Sequence, residues 1–400
     1  MKRLLMIDPD FPKPKKSVHH QDSLPIGLLK IGSYYQSKGW DVVLHRLSES
    51  YDPPKGEFDE IKITSLFTYW AKYVMGASMW AYRNFPNTPI EIGGIWASLM
   101  PNRVKELCIC DSVYEGVMEE AEAFEPNYDL LSTPIDFQIL HTSRGCNRRC
   151  KPCGVYCIEP QQSFISSIKD KIHKRNIVFY DNNLLVNPYI EDILRELILL
   201  KRQKKILHCE SQSGFDGRIL RKQPHLAKML FEAGFKNPKI AWDGSIKSWR
   251  KREEEINILV EGGFKRDDIS VFMLLNHDQS YAELEFKRMY CWYWRVQVTN
   301  CRFRPLDQLN DNFKGKKKNQ TIVEYYIHPN WSDSMIKQFN RNVRKHDMSI
   351  RFRSKFHSPS MEYKKLPIEL HEKLRYAPFS EAYQHLADAW NPNEFTKVTK

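Results

Sequence analysis

At 400 residues, with 42% hydrophobic and 28% charged side chains, the chain has the length for two or three domains and the composition of a globular protein. No apolar run comes near the roughly 18 residues that a membrane span needs, and "MKRLLMIDPDFP" has too short an apolar core for a secretory signal. The expectation is a cytoplasmic protein with no membrane partner. The formal net charge of +12 is unevenly spread: residues 1–140 hold 14 Lys/Arg against 19 Asp/Glu, whereas residues 286–365 hold 18 against 6.

The first 125 residues alternate between strand and helix signals. "RLLMID" (3–8) reads as a buried strand, followed by a Lys/Pro-rich loop (12–16). "PIGLLKIGSYYQSKG" (25–39) opens with a proline, carries helical apolar spacing and closes on Gly39. "WDVVLHRL" and "EIKITSLF" are the next strands, then a helix through "AKYVMGASMWAYRNF", a strand "TPIEIGGI" and a short one in "DSVYEGV". Strands separated by helices predict a parallel, doubly wound α/β sheet, whose ligands bind at the carboxyl ends of the strands. The turn after the first strand lacks G-x-G-x-x-G, so nothing supports a dinucleotide site.

A Pro-containing polar stretch at 126–136 reads as the linker. Six further strand candidates follow: 137–143, 176–183, 204–212, 238–245, 268–276 and 294–303, with helical stretches between most of them, including one at 188–204. Six βα units over residues 137–305 suit a partial, open barrel. Residues 306–400 read as a mixed, basic extension.

The first of these strands runs into "SRGCNRRCKPCGVYC" (143–157), which holds four of the nine cysteines. In a reducing compartment such clustering points to a metal or to catalysis rather than to disulfides. Cys146, Cys150 and Cys153 stand as C-x3-C-x2-C, with Cys157 four residues on. Four thiolates would suit tetrahedral zinc. Three thiolates on one loop suit a 4Fe–4S cluster whose fourth iron stays open to a small molecule. Cys108 and Cys110, two apart, read as strand residues.

In this position the motif resembles the radical S-adenosylmethionine (radical SAM) superfamily. "TSRGCNRRCKPCGV" is similar to the cluster loop of its branch with an N-terminal Rossmann-like, cobalamin-binding-type domain. "LPIGLLKIGSYYQSKGWDVVL" and "IEIGGIWASLMP" resemble segments of that domain, and "IVFYDNNLLVN" and "LFEAGFKNPKIAWDGS" resemble the second and fourth strand segments of the barrel. The resemblance covers roughly residues 1–305. It implies a 4Fe–4S cluster on Cys146, Cys150 and Cys153, and Cys157 as a bystander. SAM would be the co-substrate, and a one-electron reductant such as flavodoxin or ferredoxin the partner. It further implies SAM contacts from Asp181, Asn182 and Asn183 at the second strand end, Ser211 and Gln212 at the third, and Asp243 at the fourth.

Two departures stand out. Pro152 replaces the aromatic residue usual before the third cysteine, and no D-x-H-x-x-G is present, so cobalamin would bind without a histidine ligand or not bind at all. With cobalamin the implied reaction is methylation of an unactivated carbon; without it, rearrangement, oxidation or cyclisation. The second cysteine set of methylthiotransferases is missing. The reading from another class is a zinc-stabilised nucleic-acid-binding protein. In support, "MYCWYWRVQVTNCRFRP" interleaves aromatics with arginines, and Lys316–Lys318, Arg341, Arg344, Lys345, Arg351, Arg353 and Lys355 follow. Stacking rings among cations are how single-stranded nucleic acid is gripped. A small anionic substrate, or aromatics that are simply core, would leave the same pattern.

Overall fold

The computed structural model describes residues 1–12 and 24–352. The loop at 13–16, Arg353, Lys355 and the remainder of the extension to residue 400 lie outside the described residues.

The amino-terminal sheet has five parallel strands: β1 (Arg3–Asp8), β2 (Asp41–Arg46), β3 (Glu60–Ser65), β4 (Ile90–Gly94) and the two-residue β5 (Ser112–Val113). Their spatial order is β2-β1-β3-β4-β5. β1 shows why the sheet is covered on both faces. Leu4 and Met6 pack with Leu28 and Val42, while Leu5 and Ile7 pack with Ile61, Ile63, Val74 and Ala77. Successive side chains of a strand point to opposite faces, so a run apolar at every position needs two covering layers. α1 (Ile26–Ser37) supplies one, and α2 (Ala71–Asn84) the other. α3 (Ile95–Leu99), α4 (Pro101–Leu107) and α5 (Glu119–Glu122) complete this part. Cys108 follows α4, and only Ser112–Val113 pairs as a strand, so Cys108 and Cys110 lie in the connection before it, contrary to the expectation.

The second part begins with β6 (Phe137–Leu140), β7 (Ser143–Arg144), α6 (Val155–Ile158) and β8 (Ser163–Phe164). It continues with β9 (Asn176–Phe179), α7 (Ile190–Arg202), β10 (His208–Ser211), α8 (Gly217–Lys222), α9 (His225–Ala233) and β11 (Lys239–Ala241). α10 (Trp249–Glu261), β12 (Ser270–Leu275), α11 (Tyr281–Trp294), β13 (Gln297–Arg302) and α12 (Asp333–Arg351) close it. β6, β9 and β10 form one parallel sheet, and β11, β12 and β13 another. The Phe215 N–H donates to the Lys239 carbonyl in a parallel bridge, which links the two sheets at β10 and β11. The six main strands therefore succeed one another in chain order, each pair joined through at least one helix, with the four-residue α6 between β6 and β9. α7 illustrates the packing. Ile190, Ile193, Leu194, Leu197 and Leu200 make one buried stripe, with Glu191 and Asp192 in its first turn and Lys201 and Arg202 in its last, matching the helix dipole.

Two boundaries differ from the sequence reading. Trp294 belongs to α11, which ends where Arg295 takes a left-handed conformation (φ 60°). The expected strand 137–143 stops at Leu140, and Ser143–Arg144 instead pairs antiparallel with Ser163–Phe164. The architecture is α/β with parallel sheets. No helix among the described residues is long and apolar enough to cross a membrane.

Candidate functional site

The cysteine loop leaves the carboxyl end of β6 and returns through α6 to β8. Its neck is tight. Gly145 has φ 70°, and a Cβ there would lie 2.3 Å from the Gln161 carbonyl oxygen, so glycine is required on both counts. Glu159, just past α6, accepts from Gly145 N–H (2.7 Å), Asn182 Nδ2 (2.9 Å) and Arg144 Nη1 (3.2 Å). Arg144 also donates to Glu122 of α5 through Nε and Nη2, and Lys30 of α1 reaches the same carboxylate at 2.9 Å. Burial pushes the Glu122 carboxyl up, but Arg144 and then Lys30 overcome it and hold its pKa at about 2. The Arg144 charge is thus matched by Glu122 and Glu159.

Cys146, Cys150 and Cys153 are free and half-buried; Cys157 is free and exposed. The Arg148 N–H lies 3.4 Å from Cys146 Sγ, and Cys153 N–H donates to the Cys150 carbonyl at 3.0 Å. Burial raises the Cys153 thiol pKa first; the charges of Cys150, Cys146 and Cys157 add to that, against a hydrogen bond from the Val155 backbone. The sulfurs therefore share one electrostatic neighbourhood. Among the described residues no three His, Cys, Asp or Glu side chains converge on a point for a single metal ion. What fits an anionic iron–sulfur group is the donor chemistry: three partly shielded thiols with Arg148 beside them and Arg218 close by. Arg218 is gripped by Asp216 (Nη2 to Oδ2, 2.7 Å), and its pKa is raised by that bond first and, further down, by Cys150 and Cys146.

The polar strand ends gather at this same edge. Asp181 follows β9 and is fully buried. Its Oδ1 accepts from Thr142 Oγ1 (2.6 Å) and N–H (3.0 Å) and from Ser143 N–H (2.6 Å) and Oγ (2.7 Å). These bonds explain why β6 stops where it does: the Thr142 N–H, next in line to face β9, is taken by a carboxylate instead. Asn182 is bonded to Glu159, and Asn183 to Asp216 Oδ2 at 3.1 Å. Ser211 Oγ donates to the Gly214 carbonyl (3.0 Å), and Gln212 N–H to the Phe179 carbonyl (2.9 Å). Asp243, beyond β11, is exposed at its tip. Desolvation nevertheless raises its pKa, opposed by the nearby charges of Arg148, Lys287, Arg252 and His277. Arg148, on the cysteine loop, thus acts on the charge of Asp243.

Four residues that the sequence reading passed over organise this edge. Glu159 and Asp216 are the acceptors just described; "FDGR" carries an N-cap signal that marks Asp216, whose side chain accepts from Arg218 N–H. Arg218 is third. Lys287 is fully buried on α11 and donates to the carbonyls of Trp242 (3.2 Å) and Gly244 (2.5 Å) and to Gln279 Oε1 (2.6 Å). Burial lowers its pKa to about 8. A lysine amid "FKRMYCWYW" was the available signal.

The amino-terminal part abuts the loop. A Cβ at Gly154 would lie 3.3 Å from Leu99 of α3 and 3.5 Å from Leu306. Tyr69, after β3, lies under the Arg304 guanidinium at 4.4 Å. In the basic segment, Arg302 is buried against the rings of Phe313 (4.5 Å) and Tyr325 (4.9 Å) and shares Asp311 with Arg304. Tyr290 and Trp294 are buried as well. These aromatics are packing residues, whereas Lys316, Lys317, Lys318, Arg341 and Arg344 are exposed.

No protein-family model matches the chain, and no curated protein matches it.

Proposed function

We propose that this chain is a radical SAM enzyme, with Cys146, Cys150 and Cys153 as the ligands of a 4Fe–4S cluster. The observation that carries the reading is the position of the three half-buried thiols. They sit on one loop at the carboxyl end of the first of six successive parallel strands, where the ends of the next strands bring Asn182, Asn183, Ser211, Gln212 and Asp243 to the same edge. In this reading residues 1–125 are a Rossmann-like domain of the cobalamin-binding type and residues 137–305 a partial (β/α)6 barrel. The sheet order β2-β1-β3-β4-β5 and the chain-order succession of the six strands support it.

A bound cluster would pass one electron to SAM, giving methionine and a 5′-deoxyadenosyl radical for hydrogen abstraction. The chain's own part is to hold the loop, to bind SAM beside it and to exclude water, as in other cofactor enzymes. α3 against α6 shields one side of the loop. Carbon methylation follows if cobalamin occupies the carboxyl edge of the first sheet; rearrangement, oxidation or cyclisation follows without it. The reductant in this reading is a one-electron donor such as a flavodoxin or ferredoxin, and the exposed lysines and arginines after β13 favour an anionic substrate, nucleic acid included.

The test is anaerobic reconstitution with iron and sulfide, followed by dithionite and SAM. Expected are a brown protein with about four irons per chain and SAM-dependent 5′-deoxyadenosine. A colourless protein holding one zinc would overturn the reading in favour of the zinc-stabilised nucleic-acid binder.

A further inference from the structure

We propose that Asp181 and Glu159 form a two-point carboxylate clamp that sets the geometry of the cysteine loop, and that Asp181 is a positioning residue with no contact to SAM. The value of the clamp for cluster uptake rests on the function proposed above; the clamping itself does not.

A carboxylate has about four lone-pair sites. Oδ1 of Asp181 already faces four donors from Thr142 and Ser143, and Oδ2 lies 3.1 Å from Thr142 N–H. Oδ1 is saturated, and with the side chain wholly buried an ammonium group has no room to approach Oδ2. Every one of those donors belongs to the two residues that lead into the loop. The adjacent residue, Asn182, bonds Glu159, and Glu159 bonds Gly145 N–H at 2.7 Å. One turn after β9 thereby fixes both ends of the loop. Asn187 adds a third tie, donating to the Thr142 carbonyl (2.9 Å) and to the Ile165 carbonyl (3.1 Å). As anchors, both carboxylates are already served: Asp181 by the hydroxyl and N–H donors of Thr142 and Ser143, and Glu159 by Arg144. Holding ligands through packed, hydrogen-bonded supports is what preorganises a metal site.

The experiment uses the full chain, reduced and metal-free. Hydrogen exchange over 145–158 and the alkylation rates of individual cysteines by a maleimide are compared for wild type, Asp181→Asn, Thr142→Val, Glu159→Gln and the Asp181→Asn/Thr142→Val double variant. Expected for Asp181→Asn are faster exchange across the loop and about tenfold faster alkylation of Cys146, Cys150 and Cys153. The exposed Cys157 should stay unchanged as an internal control, and the double variant should be no worse than the single one. In reconstituted protein the reduced-cluster EPR line shape should alter. Unchanged exchange and alkylation together with a SAM Kd raised tenfold or more would overturn the proposal and make Asp181 a ligand contact. Should Asp181→Asn not fold, Thr142→Val and Glu159→Gln carry the same comparison. Because exchange and alkylation need no iron, a chain that never takes up a cluster would defeat the proposed function and leave the clamp to be judged separately.

Discussion

Lys287 on α11 donates a 2.5 Å hydrogen bond to the carbonyl of Gly244, one residue beyond Asp243. With its bonds to the Trp242 carbonyl and Gln279, this ammonium ties down the turn on which Asp243 is displayed. Lys287→Met leaves the Trp242 carbonyl and the Gln279 amide oxygen without this donor, while the Gly244 carbonyl keeps Gln279 Nε2, at a cost of about 1–3 kcal/mol. The pH sign follows from a folded pKa of about 8 against 10.5 for a free lysine. The folded chain binds fewer protons than the unfolded one between those values, so this group adds stability as pH rises through that window. Urea midpoints from pH 7.5 to 10 should show that upward component in wild type and lack it in Lys287→Met.

The Glu122–Arg144 pair shifts stability with the same sign, but in an acid window. The Glu122 pKa is held at about 2, below its usual 4.5, so its contribution is complete at neutral pH and disappears as pH falls from 4.5 toward 2. Glu122→Gln should lose about 1.5–3 kcal/mol at pH 7 and flatten the acid limb of the stability curve. Chemical denaturation at pH 7, 4 and 3 reads both.

Asp347 of α12 accepts from Val298 N–H at 2.8 Å, and burial raises its pKa to about 6 from 3.8. Here the folded state holds the extra proton, so stability declines as pH rises from 3.8 through 6. Asp347→Asn keeps an acceptor without the charge. It should be more stable than wild type above pH 6, by about 1–2 kcal/mol after allowance for partial exposure, and equal to it near pH 4. Thermal melts at the two pH values decide this.

The four loop cysteines are predicted to differ. Cys146→Ala, Cys150→Ala and Cys153→Ala should each lose most of the iron on reconstitution, whereas the exposed Cys157→Ala should keep it. Iron and sulfide assays give the answer, and loss of iron in Cys157→Ala would favour a four-thiolate centre.

Most of the framework was legible because it is local. The run at Arg3–Asp8 identifies its element by its shortness and unbroken apolarity, and the stripe on α7 by its period. What escaped is long-range. β6 ends at Leu140 because a carboxylate 39 residues later takes the Thr142 N–H, and no local pattern announces that. Likewise, the polar strand ends were recognisable as a cluster, but which of them bond one another was not. Asp181, Asn182 and Asn183 look alike in sequence, yet they hold, respectively, Thr142 and Ser143, Glu159, and Asp216. Lys287 was hidden by its own surroundings, since a basic residue within an aromatic helix reads as surface until its own face is seen to be buried.

The 2.7 Å bond between Gly145 and Glu159 makes the segment between them a cassette. Its two ends already meet, and a short turn could bridge them at little entropic cost because closure depends only weakly on what lies between. The parallel sheets do not pass through it. Loop and scaffold are therefore separable units in this chain: the contents of the loop can be exchanged, shortened or grafted while the strands beneath keep their order.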